Sequence, residues 1–319
     1  MCIRDSCIGG IVTGYTPQAA MRIASETKPL VISRAMGTTN VDSSRFKDSM
    51  SITDWQPFQY LEQHGSKGKV TPAFYTKGLK EQDKGDETTL GVTPKLMEYW
   101  KRYSPQLFVT ASHATQFNLE MPFGKGLIVS GNNRFYALDK KQFREFTTFL
   151  CGVLFNGKED DLLSFLNRIK APVIETRPVP AVWVAAGNCL IGDAKKTKNS
   201  MAVTALSRYG FNQLVGYTVP SWYGKGGWGT LGLLFSNHDA SNLAEAWYLN
   251  NQFILDETMT RFPKLMDVHF NSPDINGIKN DPDFARGMNS AGYGMGKDQL
   301  GLIHDRDTVA FYGDPAWTA

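Results

Sequence analysis

Short apolar runs separated by helix-patterned segments constrain this chain more than any other feature. "LFVT" (107–110), "PVIE" (172–175) and "AVWVAAG" (181–187) lack the polar alternation of a half-exposed strand. Such runs suit strands buried on both faces, as in a parallel sheet covered by helices. "LVIS" (30–33), "GLIVS" (126–130), "RFYAL" (134–138) and "NQLVGYTV" (212–219) are further strand candidates. Between them lie segments with helical spacing. "TPQAAMRIASETKP" offers Thr16 as N-cap, Pro17 at the first helical position and Pro29 beyond the end. "TPKLMEYWKRY" aligns Leu96, Tyr99, Trp100 and Tyr103 on one face. Helices are also predicted over 139–155, 158–169, 199–210 (stopped by Gly210) and 242–262, the last with an apolar stripe. Strands alternating with helices predict an α/β fold with a mostly parallel sheet flanked by helices.

Size and charge narrow the function classes. A chain of 319 residues can form one large domain or two modest ones. Its 42% hydrophobic and 20% charged residues match a folded globular protein. With 34 basic against 31 acidic side chains, net charge +3 makes no electrostatic case for nucleic acid or an anionic membrane. No apolar run of about 18 residues suggests a membrane span. Four cysteines, Cys2, Cys7, Cys151 and Cys189, are too scattered for a disulfide framework or a zinc site. "MCIRDS" (1–6) reads as a non-native leader, and residues 37–90 as loop-rich.

Two strand candidates end in residues suited to acyl chemistry. "LFVTASH" delivers His113, and "VWVAAGNC" delivers Cys189. Functional groups of open parallel sheets gather beyond the carboxyl ends of the strands. A thiolate nucleophile held by an imidazole on a neighbouring strand end would form a dyad, with the amides of Ala114 and Cys189 facing an oxyanion. The alternative for each residue is structural: a core thiol and a polar strand cap. Cys151, within an apolar helix, reads as core.

Other motifs carry weaker signals. "GKGGWG" (224–229) fits G-x-G-x-x-G but does not follow the first strand of a βαβ unit. It reads instead as a flexible loop beside the cysteine strand, where Trp222, Tyr223 and Trp228 line a substrate pocket or serve as ordinary aromatic packing. His238-Asp239 and His304-Asp305-Arg306-Asp307 lack metal-ligand spacing and read as solvated loops. Glu120 is a candidate to orient His113, with surface solvation as the alternative. "NSPDINGIKNDPD" (271–283) is rich in Asp and Asn but lacks the EF-hand pattern. Asp193, Asp239 and Asp256 are the acidic residues that could set a preference for basic substrates.

"LFVTASHAT", "VWVAAGNCLIG", "NSMAVTALSRYGFNQLVGYTVPSWYG" and "VAFYGDPAW" together resemble the gingipain-type cysteine peptidases of the caspase-like group. In that group one strand ends in the catalytic histidine and a later small-residue strand in the catalytic cysteine. A helix and a Gly-bounded strand follow, matched by Gly210 to Gly216, and a terminal Gly-Asp-Pro is matched by Gly313, Asp314 and Pro315. The resemblance covers about residues 105–317. It implies a caspase-like three-layer α/β sandwich over 105–319, with an N-terminal part, 7–104, packing on it. It implies a secreted or periplasmic bacterial peptidase acting on protein or peptide substrates, without a cofactor but with structural calcium as an option. His113 would be the general base and acid, and Cys189 the nucleophile. The group has glycine after the histidine, where this chain has Ala114, and its interval from histidine to cysteine is shorter. Two other functions fit the same residues: an acyl-transferring transpeptidase, and a non-catalytic binding or secretion-associated module.

Overall fold

The computed structural model describes residues 10–38, 48–51, 97, 100–101, 104–121, 126–146, 159–176, 179–194, 197–221, 223–236, 242–269, 282–294 and 296–317. Two sheets organise them. Sheet A is built from β1 (Arg34–Gly37), β2 (Asp48–Ser51), β3 (Leu107–Thr110), β8 (Ala181–Ala185), β9 (Phe211–Tyr217) and β10 (Val309–Gly313), in the order β10-β9-β8-β3-β1-β2. Every neighbouring pair is parallel except β9 with β10. Sheet B is antiparallel and contains β4 (Ala114–Thr115), β5 (Asn118–Glu120), β6 (Gly126–Gly131) and β7 (Arg134–Asp139) in sequence order. Asn132 and Asn133 close the β6–β7 hairpin with φ of 49° and 54°. Asparagine tolerates the left-handed region that two-residue hairpin turns require.

The uninterrupted runs in β3 and β8 follow from burial on both faces. On one face Phe108, Trp183, Ala185 and Leu214 pack with Ile23 of α1 (Pro17–Ala24), with Met201, Ala205 and Leu206 of α3 (Met201–Arg208), and with Ile128 and Phe135 of sheet B. On the other, Val109, Val182, Val184 and Val215 meet Trp228, Leu231 and Leu234 of α4 (Lys225–Ser236) and Leu243 and Ala246 of α5 (Leu243–Arg261). Successive strand residues alternate between these two cores, as the pleat requires. The far side of sheet B is covered by α2 (Glu159–Arg168), through Leu162, Phe165 and Leu166. α6 (Pro282–Ser290) and α7 (Lys297–Thr308) form a third cluster around Met288 and Ile303. The expected α/β class with a mainly parallel, helix-flanked sheet is what forms.

Local signals hold where side chains act locally. Thr16 caps α1 by accepting from Ala19 N at 3.2 Å, and Pro17 opens the helix. α3 ends just before Gly210, whose φ of +77° brings its backbone against the Val179 carbonyl. The helix predicted over 242–262 is α5, with a capping box between Asn242 and Glu245.

Three expectations need correction. "LVIS" is not a strand: Val31 is exposed, and β1 is the following "RAMG", ordered by pairing between β2 and β3. "PVIE" does not enter the parallel sheet; it runs antiparallel beside β7, with Ala137 N donating to Pro172 O and Ile174 N to Phe135 O. "GKGGWG" is no loop beyond its first residue, because residues 225–229 form the opening of α4. The helix at 140–146 is formed; its continuation, Cys151, the leader 1–6 and most of 37–96 lie outside the described residues. The N-terminal residues contribute β1 and β2 to sheet A, and Ile11 pairs with Tyr312.

Tyr209 joins α3 to sheet B. Its hydroxyl accepts from Phe135 N at 2.8 Å and donates to Ile174 O at 2.9 Å, and burial pushes its pKa up to about 12. Tyr209→Phe keeps the ring, stacked on Phe135, but orphans two buried backbone groups. The expected cost is about 2–6 kcal/mol in chemical denaturation, from about 1–3 kcal/mol for each of the two stranded groups. A loss under about 0.5 kcal/mol contradicts this.

Candidate active site

β3 and β8 are immediate parallel neighbours, in a register that sets Thr110 opposite Ala185. His113 lies three residues beyond that pair and Cys189 four, so both leave the same carboxyl edge of sheet A. His113 is exposed and Cys189 half-buried as a free thiol.

A buried chain of hydrogen bonds ties the two loops together. Trp183 Nε1 donates to Thr110 Oγ1 at 2.8 Å, which leaves the Thr110 hydroxyl to donate to Asn188 Oδ1. The Asn188 amide nitrogen then donates to Ser112 O at 2.9 Å and Ser112 Oγ at 3.1 Å. Donor and acceptor roles thus fix the orientation of the amide. Asn188, fully buried, precedes the thiol, and Ser112 precedes the histidine. Sequence reading missed Asn188, because nothing in "GNC" distinguishes a buried bridging amide from a turn residue.

The segment after the thiol is pinned to β9 and its extension. Leu190 takes φ of +58°, unusual for leucine, and its N–H donates to Val219 O at 3.2 Å. Gly192 N donates to Tyr217 O at 2.8 Å, and a Cβ at Gly192 would lie 2.4 Å from Gly216 O. The sulfur itself faces Ser221. Ser221 N–H donates to Cys189 Sγ at 3.3 Å, and the Ser221 hydroxyl donates to Gly187 O at 3.2 Å. Among the described residues, no hydrogen bond joins the His113 ring to the thiol.

His113 enters the β4–β5 hairpin. Glu120 N donates to His113 O at 2.9 Å, so 113 and 120 form a hydrogen-bonded pair and 114↔119 the adjacent non-hydrogen-bonded one. The Ala114 N–H therefore points away from β5, out of the edge strand β4. Ala114 has strand geometry and needs no glycine conformation. The half-buried Glu120 is the cross-strand partner of His113. α3 braces the hairpin, since Met201 N donates to Gln116 O at 2.7 Å.

The aromatic residues expected to line a pocket divide. Trp228 is 5% exposed and packs in the core against Leu231 and Val184, so it does not line an open pocket. Tyr223 is half-buried, with its hydroxyl donating to Asp298 Oδ1 at 3.2 Å; burial, then Asp298, raises its pKa strongly. Trp222 lies outside the described residues. Behind Tyr223 stands an ion-pair cluster. Lys225 and Arg261 both bind Glu257, and Arg261 reaches Asp298 at 2.7 Å. Burial alone would raise the Glu257 pKa, but its two cationic partners outweigh that and hold it low.

His304 and Asp305 overturn the expectation of a solvated loop. Both are fully buried in α7, because Tyr217 of the core and the Pro220 carbonyl supply their partners. His238, Asp239 and most of 271–283 lie outside the described residues. Asp193 is nearly buried and Asp256 exposed on α5. Among the described residues no group of three or more His, Cys, Asp or Glu side chains is arranged to hold a metal, and no helix is long and apolar enough to cross a membrane. No family model, curated protein or solved structure matches the chain.

Proposed function

We propose that this protein is a cysteine endopeptidase of the caspase-like, gingipain-related type, with His113 and Cys189 as its dyad. The observation that carries the reading is the pairing of β3 with β8, which sends both residues off adjacent strand ends. The order of elements supports it: α3 follows the thiol, β9 follows α3, and Gly313-Asp314-Pro315 follows from β10. His113 takes the thiol proton and the thiolate attacks the scissile carbonyl carbon. The Ala114 and Cys189 amides receive the oxyanion, and the outward direction of the Ala114 N–H suits that role. Collapse breaks the C–N bond as His113 gives its proton to the leaving amine. Water activated by His113 then cleaves the thioester, restoring the thiol and releasing the acid. The substrate is a peptide or protein, no cofactor takes part, and the resemblance implies an exported bacterial enzyme.

One observation favours a second reading. The sulfur is engaged by Ser221 and not by His113, which suits an inherited fold that binds peptides without cleaving them. A thiol-reactive peptidyl probe separates the two. The peptidase reading expects wild-type protein to be labelled at Cys189, Cys189→Ala to be silent, and His113→Ala to label at least about a hundredfold more slowly. Unlabelled wild-type protein that leaves a peptide library intact would establish the binding module. Products joined to an added amine, with no free acid, would identify a transpeptidase.

A further inference from the structure

The fully buried His304 and Asp305 have no part in the chemistry above, yet they sit one peptide unit from the thiol. His304 Nδ1 faces Asp305 Oδ1 at 2.9 Å, and Nε2 faces Pro220 O at 3.0 Å. A carbonyl oxygen only accepts, so Nε2 carries a proton and donates it. The other Asp305 oxygen accepts from Gly226 N at 2.8 Å and from the Tyr217 hydroxyl at 3.2 Å, and the His304 ring stacks on Tyr217. The carboxylate is thereby fixed from α4 and β9, and it fixes the ring. Pro220 O belongs to the same peptide unit as Ser221 N, which donates to Cys189 Sγ at 3.3 Å. Hydrogen bonds that share a peptide polarise one another, so a donor on the carbonyl strengthens the N–H on the other side.

We propose that Asp305 and His304 are a positioning pair for Cys189, acting through the Pro220–Ser221 peptide, whose carbonyl His304 holds and whose N–H meets the sulfur. The N–H favours the thiolate over the thiol, so Cys189 gains reactivity from a buried group as well as from His113. The inference deepens the proposed function in that it takes Cys189 as the reactive thiol, but its test needs no peptide cleavage.

Other ionisable groups around the relay are Tyr217, Tyr223, Lys225 and Glu257 on the elements packed against α7, Asp193 in the loop after the thiol, and His113 on the neighbouring strand end. All stay in place in the variants below. The measurement is the pH dependence of Cys189 alkylation by iodoacetamide in the full chain, followed on the Cys189 peptide by mass spectrometry so that the other cysteines do not contribute. His304→Met fills the site but removes the donor to Pro220 O. The pH of half-maximal rate should rise by about one unit, as for loss of a charge-assisted hydrogen bond. His304→Gln retains an N–H and should restore most of the shift. Ser221→Pro deletes the N–H at the sulfur and should act like His304→Met. If His304→Met does not fold, a wild-type profile in Ser221→Pro still overturns the proposal, because the N–H at the sulfur is its last link. Wild-type profiles in folded His304→Met, or in Ser221→Pro, overturn the proposal. A chain that shows these shifts but hydrolyses no peptide sinks the peptidase reading and leaves the relay standing; hydrolysis without the shifts does the reverse.

Discussion

Gly227→Ala should destabilise the protein by about 3 kcal/mol or more, the upper range for overpacking a dense interior. A Cβ at Gly227 would stand 2.1 Å from the Ala186 carbonyl oxygen and 2.7 Å from its carbon. Both are backbone atoms of the turn that carries Cys189, so no side chain can swing aside. Relief requires α4 to back away from β8. That retreat strains the bonds its first turn makes, from Gly226 N to Asp305 and from Gly227 N to the Tyr217 hydroxyl at 3.2 Å. The damage therefore reaches the buried His304–Asp305 pair. Gly294→Ala is the control, because nothing lies within 4 Å of its added Cβ. Urea denaturation of both variants gives the comparison, with Gly294→Ala expected within about 0.5 kcal/mol of wild type. Equal midpoints for the two would mean that α4 does not rest on the Ala186 carbonyl.

Gly226 and Gly227 also explain why sequence reading misjudged this segment. Glycine lowers helix propensity by about 1 kcal/mol per residue, so "GKGGWG" looks like a loop. Tertiary packing overrides that cost here, since only glycine lets the helix lie against Ala186 and Val309. The polar "HDRD" misled for a related reason. Sequence shows four polar residues in a row, but α7 buries the first two while Arg306 and Asp307 pair nearer the surface. β1 was hidden because "RAMG" has little intrinsic strand character and is ordered by neighbours on both sides. β3, β8 and the N-cap of α1 were legible because their signals are local: continuous apolar runs, and a polar cap at the right spacing. The candidate site was half legible. His113 and Cys189 end their strands visibly, whereas Asn188, Ser221 and His304 gain meaning only from residues distant in sequence.

Asn188→Asp should be at least as damaging as Gly227→Ala, and it separates the tie between the two strand ends from general packing. The substitution changes one atom in practice, replacing an N–H donor by oxygen. One oxygen of the introduced carboxylate would still accept from Thr110, but the other would face Ser112 O and Ser112 Oγ, where Asn188 now donates. The site is fully buried, and an uncompensated charge there costs about 3–5 kcal/mol. If the carboxyl takes up a proton instead, the donor to Ser112 is regained and stability returns. The denaturation midpoint of this variant should therefore recover relative to wild type as pH falls below neutral, a sign opposite to ordinary acid destabilisation. Asn188→Ala lacks that recovery. It strands the Thr110 hydroxyl and Ser112 carbonyl, at about 1–3 kcal/mol each, and frees the loop that holds His113. In Asn188→Ala, labelling by a peptidyl probe should fall at least about tenfold, because the histidine must be held in place for acyl chemistry. Alkylation of Cys189 by iodoacetamide should fall less than probe labelling, since Ser221 still meets the sulfur. Parallel losses in both reactions would show that Asn188 supports the thiol loop alone, and that the tie to the His113 loop carries no catalytic weight.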